Sequence, residues 1–224
     1  MPESLTAHTQ DYLKAIYALS TMHSPVSTNA LAERLGVTAA SVTGMIQRLA
    51  AADPPLVSYQ KYQGVRLTAE GERAALRVIR SHRLLEAYLV EHLGYPWDAV
   101  HEEACRLEHV LSPELTARIA AALGEPQRDP HGELIPDAQL TMPAEDTLPL
   151  ADLHPPQQGL VRRVEAGTAD FLRYLESVGL VPGVRLEVLE ASPYDGNLRL
   201  RINANELVLG PAVTGQVFVE VLEV

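Results

Sequence analysis

"STNALAERLGVTAASVTGMIQRLA", Ser27 to Ala50, reads as two helices joined at a glycine. Ser27 or Thr28 can cap the first, whose apolar positions Leu31, Ala32 and Leu35 end at Gly36, a natural C-terminal glycine. Thr38 then caps a second helix, in which Val42, Met45, Ile46 and Leu49 fall at i, i+3, i+4 and i+7 and share one buried face. The pair is a helix-turn-helix, although any two packed helices can show this pattern. The opposite face carries Ala40, Gly44 and Gln47, flanked by Ser41, Thr43 and Arg48. Small residues let a backbone lie close to base edges, an alanine methyl can meet a thymine methyl, and Gln, Ser, Thr and Arg can bond to bases or phosphates. Thr38, Ala39, Ala40, Ser41, Thr43, Gly44, Gln47 and Arg48 are therefore the candidate DNA contacts. "LVSYQKYQGVRLTAEG" (56–71) follows, two short strands around Gln63-Gly64 with Lys61 and Arg66 as cations for a phosphate backbone. A hairpin after a recognition helix is a wing, so the stretch predicts a winged helix.

Working outward, 224 residues allow two or three small domains, each with a core. The single cysteine, Cys105, excludes an intramolecular disulfide and fits a reducing compartment. No basic-then-apolar leader opens the chain, and no apolar run approaches the roughly 20 residues of a membrane helix. A cytoplasmic protein that does not cross a membrane is expected. The net charge of -11 is unevenly spread. Residues 1–90 carry nine Lys/Arg against seven Asp/Glu, residues 91–140 three against ten, and residues 141–224 six against twelve. The least acidic part is the one expected to approach DNA, and the acidic middle suits cations.

The helical pattern runs to about Leu123, including a long run from Ala69 to Leu93. Seven prolines between Pro126 and Pro156 then suggest an extended linker. Beyond it come a short helix, "ADFLRYLESVG" (169–179), and alternating stretches at 184–190, 197–203, 206–210 and 216–224, which predict a small β-barrel of SH3 type. The expected fold is mainly α with a C-terminal β-barrel. Its parts are a winged helix-turn-helix (1–72), a helical metal-binding and dimerisation domain (73–136), a Pro-rich linker (137–159) and an SH3-like domain (160–224).

"HEEACRLEHVLS" (101–112) gathers ligand-type side chains. On a continuous helix, Cys105, Glu108 and His109 lie about 40°, 340° and 80° around from His101, one arc of roughly 100°. His82 and Glu86 form another i, i+4 pair upstream. Nitrogen, oxygen and one sulfur suit a divalent transition metal better than Ca²⁺ or Mg²⁺. A polar helix face with one buried thiol is the bland alternative.

Four ordered motifs carry a family resemblance: "TQDYLKAIYAL" (9–19), "SHRLLEAYL" (81–89), "VHEEACRLEHVLS" (100–112) and "DPHGELIP" (129–136). Over most of residues 5–136 the chain resembles the metal-dependent transcriptional repressors typified by the diphtheria toxin repressor and the manganese transport regulator. The tail is similar to that family's SH3-like third domain. The resemblance implies two metal sites per subunit: a primary one of Asp11, Cys105, Glu108 and His109, and an ancillary one of His82, Glu86 and His101. Glu165 is the nearest third-domain candidate for the ancillary site, because "RRVEAGTAD" does not match the family's ligands cleanly. Aspartate at position 11 is the manganese-type choice, whereas Cys105 departs from it. Lys14 stands where some manganese regulators place an acidic residue for a second, adjacent metal.

The resemblance further implies that a metal fixes the helix of Asp11 against the dimer core, setting two recognition helices ~34 Å apart on a palindromic double-stranded DNA operator. A homodimer is expected because Leu85, Leu89, Leu93, Trp97, Val100, Leu107, Val110, Leu111 and Ile119 offer more apolar surface than a short helical pair can hide. A helical-bundle metalloenzyme is the rival class, but its paired Glu-x-x-His motifs are missing. The expected function is a Mn²⁺-activated repressor of metal-uptake genes, with Fe²⁺ the second choice of metal.

Overall fold

The computed structural model describes residues 5–165 and 167–222. Helix α1 (Ala7–Ser20) starts at Thr6, whose hydroxyl accepts from the Thr9 amide, and buries Tyr12, Leu13, Ala15 and Ile16. Helix α2 (Thr28–Leu35) is capped by the Ser27 side chain and closed by Gly36 at φ 64°, a left-handed conformation that glycine adopts without a Cβ penalty. Helix α3 (Ala39–Ala50) is capped by Thr38 and buries Val42, Met45, Ile46 and Leu49, the stripe that its sequence spacing requires. Strands β1 (Val57–Gln60) and β2 (Gly64–Leu67) pair antiparallel, and Val65 also bridges Val26 ahead of α2. One apolar core holds these elements together, with Leu13, Ile16, Leu31, Val42, Ile46 and Val65 at its centre. This is a winged helix.

Helix α4 (Ala69–Leu93) matches the predicted run at both ends. Helix α5 (Val100–Leu107) is short, and Glu108 to Val110 form a turn after it. The expectation of a single helical arc from His101 to His109 therefore fails. The helix stops at Leu107, where the Val110 amide folds back onto the Leu107 carbonyl. Ser112 then caps α6 (Pro113–Ala122) by accepting from the Leu115 amide, with proline at the first helical position, where its missing N–H costs nothing.

The C-terminal part is a six-stranded antiparallel sheet in the order β3-β8-β4-β5-β6-β7. Its strands are β3 (Leu148–Pro149), β4 (Gln158–Val164), β5 (Arg185–Ala191), β6 (Leu198–Ile202), β7 (Asn205–Leu209) and β8 (Val217–Leu222). Helices α7 (Ala169–Ser177) and α8 (Pro211–Thr214) complete it. Strand β6 shows the period of two, with Leu198, Leu200 and Ile202 buried and Arg199 and Arg201 outward. The sheet is open, with β3 and β7 at its edges, rather than a closed barrel.

Residues 148–159, expected as linker, do not run free. They supply β3, a 3-10 turn (Leu150–Asp152) and the start of β4, and they bury Leu150 and Leu153 completely in the core of this sheet. Prolines at 149, 155 and 156 broke the periodicity that would have announced a strand. By its contacts the chain forms two compact units. The first holds residues up to 82 with 105–117 and 136–142, and the second holds 83–104, 118–135 and 143–224.

Candidate metal centres and DNA-binding face

In the first unit, Asp11 of α1 meets Glu108 and His109 from the turn after α5. One ligand atom from each lies within 4.8 Å of the others. The His109 Nε2 atom is 3.1 Å from Asp11 Oδ1 and 3.3 Å from Glu108 Oε1. On its other side, His109 Nδ1 is 2.7 Å from Gln10 Oε1. Glu108 is buried yet densely partnered. Its two oxygens accept from Lys14 Nζ at 2.8 and 2.7 Å, and His82 Nδ1 lies 2.5 Å from Oε2. Burial alone would raise the Glu108 pKa. The His82 hydrogen bond and the charges of Lys14 and His82 outweigh it and hold the carboxyl below its usual range. The ionised form of Glu108 is thus favoured.

A second group lies wholly within the other unit. Glu86 of α4 meets Asp129 and His131 of the "DPHGELIP" loop, again within 4.8 Å, and all three are buried. The loop is shaped by its own residues. Asp129 Oδ1 accepts from the amides of His131 and Glu133 at 2.8 and 2.9 Å, and Gly132 adopts φ 86°. A Cβ on Gly132 would collide with the Arg162 carbonyl of β4, so the loop lies against that strand at van der Waals closeness. The His131 carbonyl also accepts from the Val164 amide at 2.9 Å. Its ring nitrogen Nε2 donates to the Trp97 carbonyl at 2.8 Å, which leaves Nδ1 facing Glu86 Oε2 at 3.7 Å. His101 approaches the other Glu86 oxygen, Nδ1 to Oε1, at 3.0 Å from a half-exposed position.

The charges of this group are unsettled without a cation. Burial and the adjacent Glu86 carboxylate push the Asp129 pKa up to about 7. Burial would lower His131, but the Glu86 hydrogen bond and the Glu86 and Asp129 charges raise it instead. Both donor sets fit a divalent ion. Ligands on opposite sides of an ion at roughly 2.1 Å stand roughly 4.2 Å apart, inside the spread of each group. Carboxylate oxygen and imidazole nitrogen suit first-row dications such as Mn²⁺ and Fe²⁺.

Three stretches match known family models: an iron dependent repressor N-terminal DNA-binding domain at residues 4–65, an iron dependent repressor metal-binding and dimerisation domain at 68–137, and a FeoA domain at 148–221. The iron-dependent repressor IdeR of Mycobacterium tuberculosis is 32% identical over 220 residues, covering 91% of this chain and 92% of its own length. The chain belongs to this repressor family. A diphtheria toxin repressor from Corynebacterium jeikeium is 35% identical over 128 residues, 57% of this chain and 52% of that protein. Among solved structures, a manganese-dependent transcriptional repressor in complex with manganese superposes with a TM-score of 0.88 at 40% identity, covering 96% of this chain and all of that one. As a family member, the protein comprises a DNA-binding winged helix, a helical metal-binding and dimerisation domain and a C-terminal FeoA domain of SH3-like type. No helix among the described residues is long and apolar enough to cross a membrane.

The structure pairs the ligand-type residues differently from the sequence expectation. His82, expected beside Glu86, faces Glu108. Glu86 and His101 face each other as expected, but the further neighbours of Glu86 are Asp129 and His131, which the sequence reading did not name as ligands. Cys105 is half-buried on α5 and outside both of these triads, but its Sγ lies within 4.8 Å of a ring nitrogen of His82. Glu165 is exposed and also outside both triads, its amide bonded to the Gln216 carbonyl. The "DPHG" signature already carried Asp, His and a turn glycine. Only their distance in sequence from Glu86 concealed the cluster.

On the winged helix, Thr38, Ala39, Ala40, Ser41, Gly44, Gln47 and Arg48 are exposed. Thr43 is half-buried, its hydroxyl donating to the Ala39 carbonyl at 2.9 Å. Lys61 lies at the wing tip with its ammonium 5.0 Å from the Tyr62 ring centre. Arg66 projects from β2 and donates to Ser24 Oγ at 2.8 Å.

Proposed function

We propose that the protein is a Mn²⁺-activated repressor of metal-uptake genes that binds palindromic operators as a homodimer. The observation that carries this reading is the placement of Asp11. It lies on α1, a helix that packs into the core of the DNA-binding domain, yet converges with Glu108 and His109 of the metal-binding domain. An ion held by all three ties α1 to the turn after α5. Lys14 and hydrogen bonds join them as well, and a bound ion adds to the preference for one arrangement of the reading head over others. A typical allosteric coupling of ~1–3 kcal/mol changes DNA affinity roughly 5- to 150-fold.

The choice of Mn²⁺ follows from the donors. Asp11, Glu108 and His109 offer two carboxylates and one imidazole, with no sulfur in the triad. Hard oxygen donors suit Mn²⁺, whereas thiolate favours later metals. The buried group of Glu86, Asp129 and His131, with His101 beside it, is read as a second ion site of the same hard character. Fe²⁺ is the second reading, supported by the iron-dependent relatives. The role is regulatory rather than enzymatic, in keeping with those repressors.

The exposed face of α3 reads bases and the wing holds phosphates. Gln47→Ala should weaken binding to the preferred sequence by ~1–3 kcal/mol, the value of one good base contact. The deciding experiment is a DNA-binding titration of chelated protein on its own promoter region, anaerobically, with each divalent metal. Activation by Mn²⁺ at lower concentration than by Fe²⁺ is expected. Binding independent of any metal overturns the regulatory reading, and a response to Fe²⁺ alone overturns the choice of metal.

A further inference from the structure

Gln10 precedes Asp11 on α1 and is not a ligand-type residue, yet both ends of its amide are committed. The amide nitrogen donates to the Leu5 carbonyl at 3.2 Å. A carbonyl only accepts, so this contact settles which way round the amide lies. Reversed, it would set two oxygens against each other. Oε1 must therefore face His109 Nδ1, at 2.7 Å. An amide oxygen also only accepts, so in the neutral imidazole the hydrogen resides on Nδ1. The lone pair then belongs to Nε2, the atom that stands 3.1 Å from Asp11 Oδ1 and 3.3 Å from Glu108 Oε1.

We propose that Gln10 is a positioning residue for the metal site, which fixes His109 in the tautomer whose Nε2 is free to bind an ion between Asp11 and Glu108. This rests on reading that triad as an ion site. The opposite tautomer would direct an N–H at the two carboxylates, satisfy them with hydrogen bonds and close the gap to a cation. Gln10 also restrains the ring itself, so the ligand is aimed before the ion arrives. Outer partners of this kind are typically worth about tenfold to a hundredfold in metal affinity. His131 shows the same logic mirrored, its Nε2–H held by the Trp97 carbonyl and Nδ1 turned to Glu86.

The test uses the full chain and two readouts. Long-range proton–nitrogen correlation on histidine-labelled, metal-free protein, at a pH where the ring is neutral, reports the tautomer of His109, assigned by its loss in His109→Asn. Mn²⁺ titration reports affinity. Wild type and Gln10→Glu, which keeps the acceptor, should show Nδ1–H and bind Mn²⁺ within a few-fold of each other. Gln10→Leu and Gln10→Met remove the acceptor at similar size. They should move the hydrogen to Nε2 or mix the forms, and lose roughly tenfold to a hundredfold in affinity, with the metal-free melting temperature near that of wild type. An Nε2–H tautomer in wild type overturns the proposal, as does an unchanged tautomer or affinity in both acceptor-free variants. Failure of wild type to bind Mn²⁺ at the triad instead overturns the site itself, and the tautomer measurement still stands apart from it.

Discussion

Asp11, Glu108 and His109 form a partly open triad that carries its own cation, Lys14, on both Glu108 oxygens. Glu86, Asp129 and His131 are wholly buried, and the Arg83 guanidinium stands 4.0 Å from Asp129. Similar side chains thus sit in opposite settings. In the first triad the ionised state is already favoured, because Lys14 and His82 stabilise Glu108. On the proposed reading, an entering ion competes with Lys14 for the Glu108 charge. In the second, two carboxylates share a buried site, and burial with the Glu86 charge pushes Asp129 toward its protonated form. Its loop is pressed against β4, so an ion there braces a structure. On the proposed reading, the first site senses and the second supports.

The comparison breaks most sharply at Gly132. Gly132→Ala forces a Cβ into the Arg162 carbonyl and occupies a left-handed φ, so it should destabilise the second unit by about 3 kcal/mol or more. Mn²⁺ affinity at the Asp11 triad should stay within a few-fold of wild type. Denaturant melts and metal titrations of the variant check both, and equal loss at the two sites would show that they do not differ in this way.

Next in size is the contrast between Asp11→Ala and His131→Ala. The first should abolish the metal-stimulated part of DNA binding, the roughly 5- to 150-fold expected for allosteric coupling. The second should leave stimulation in place while lowering thermal stability. Gel-shift titrations with Mn²⁺ separate them, and identical profiles would merge the two roles.

Lys14→Gln sharpens the comparison at smaller scale. Removing the competing ammonium should tighten Mn²⁺ binding at the triad by about tenfold, which corresponds to ~1.4 kcal/mol. It should also loosen the metal-free protein, because Glu108 stays buried with less compensation. Calorimetric titration detects the first and thermal melting the second. Weaker binding would mean that Lys14 orients Glu108 rather than competes for it.

The smallest effect is on pH. Asp129 is raised from 3.8 to about 7 on folding, so its contribution to stability is complete below 3.8 and is lost as pH rises through 7. His131, raised above 6.5, extends the same loss to higher pH. Glu108 is lowered from 4.5, so its contribution is present above 4.5 and is lost as pH falls through its folded value. The metal-free melting temperature should therefore drop by a few degrees between pH 5 and pH 7.5, roughly 2–4 °C for each 1 kcal/mol lost. Asp129→Asn should flatten that drop, and saturating Mn²⁺ should reverse it.

The winged helix was legible because its signals are local. Ser27, Gly36 and Thr38 mark helix ends by their own hydrogen bonds and backbone preference, and the α3 stripe obeys helical geometry. The six-stranded sheet was half legible. Strand β6 alternates cleanly, but β3 and β4 lie among prolines and become strands by pairing, β3 with β8 and β4 with β8 and β5. The helical arc through His109 was misread because nothing in "CRLEHV" marks the end of α5, which tertiary contacts of Glu108 and His109 reward.

By itself, the sequence determined the order of domains, the helix-turn-helix of the DNA-binding domain and the supply of acidic and imidazole donors. Those depend on spacing within a few residues and on motif chemistry. Tertiary structure alone decided which donors meet. Asp11 joins residues almost a hundred positions away, Glu86 leaves its helical neighbour His82 for Asp129 and His131, and Gln10 acquires a role that its residue type never suggests. Such pairings depend on how helices and loops pack in three dimensions, where a carboxylate's nearest neighbour is set by burial and closure rather than by separation along the chain.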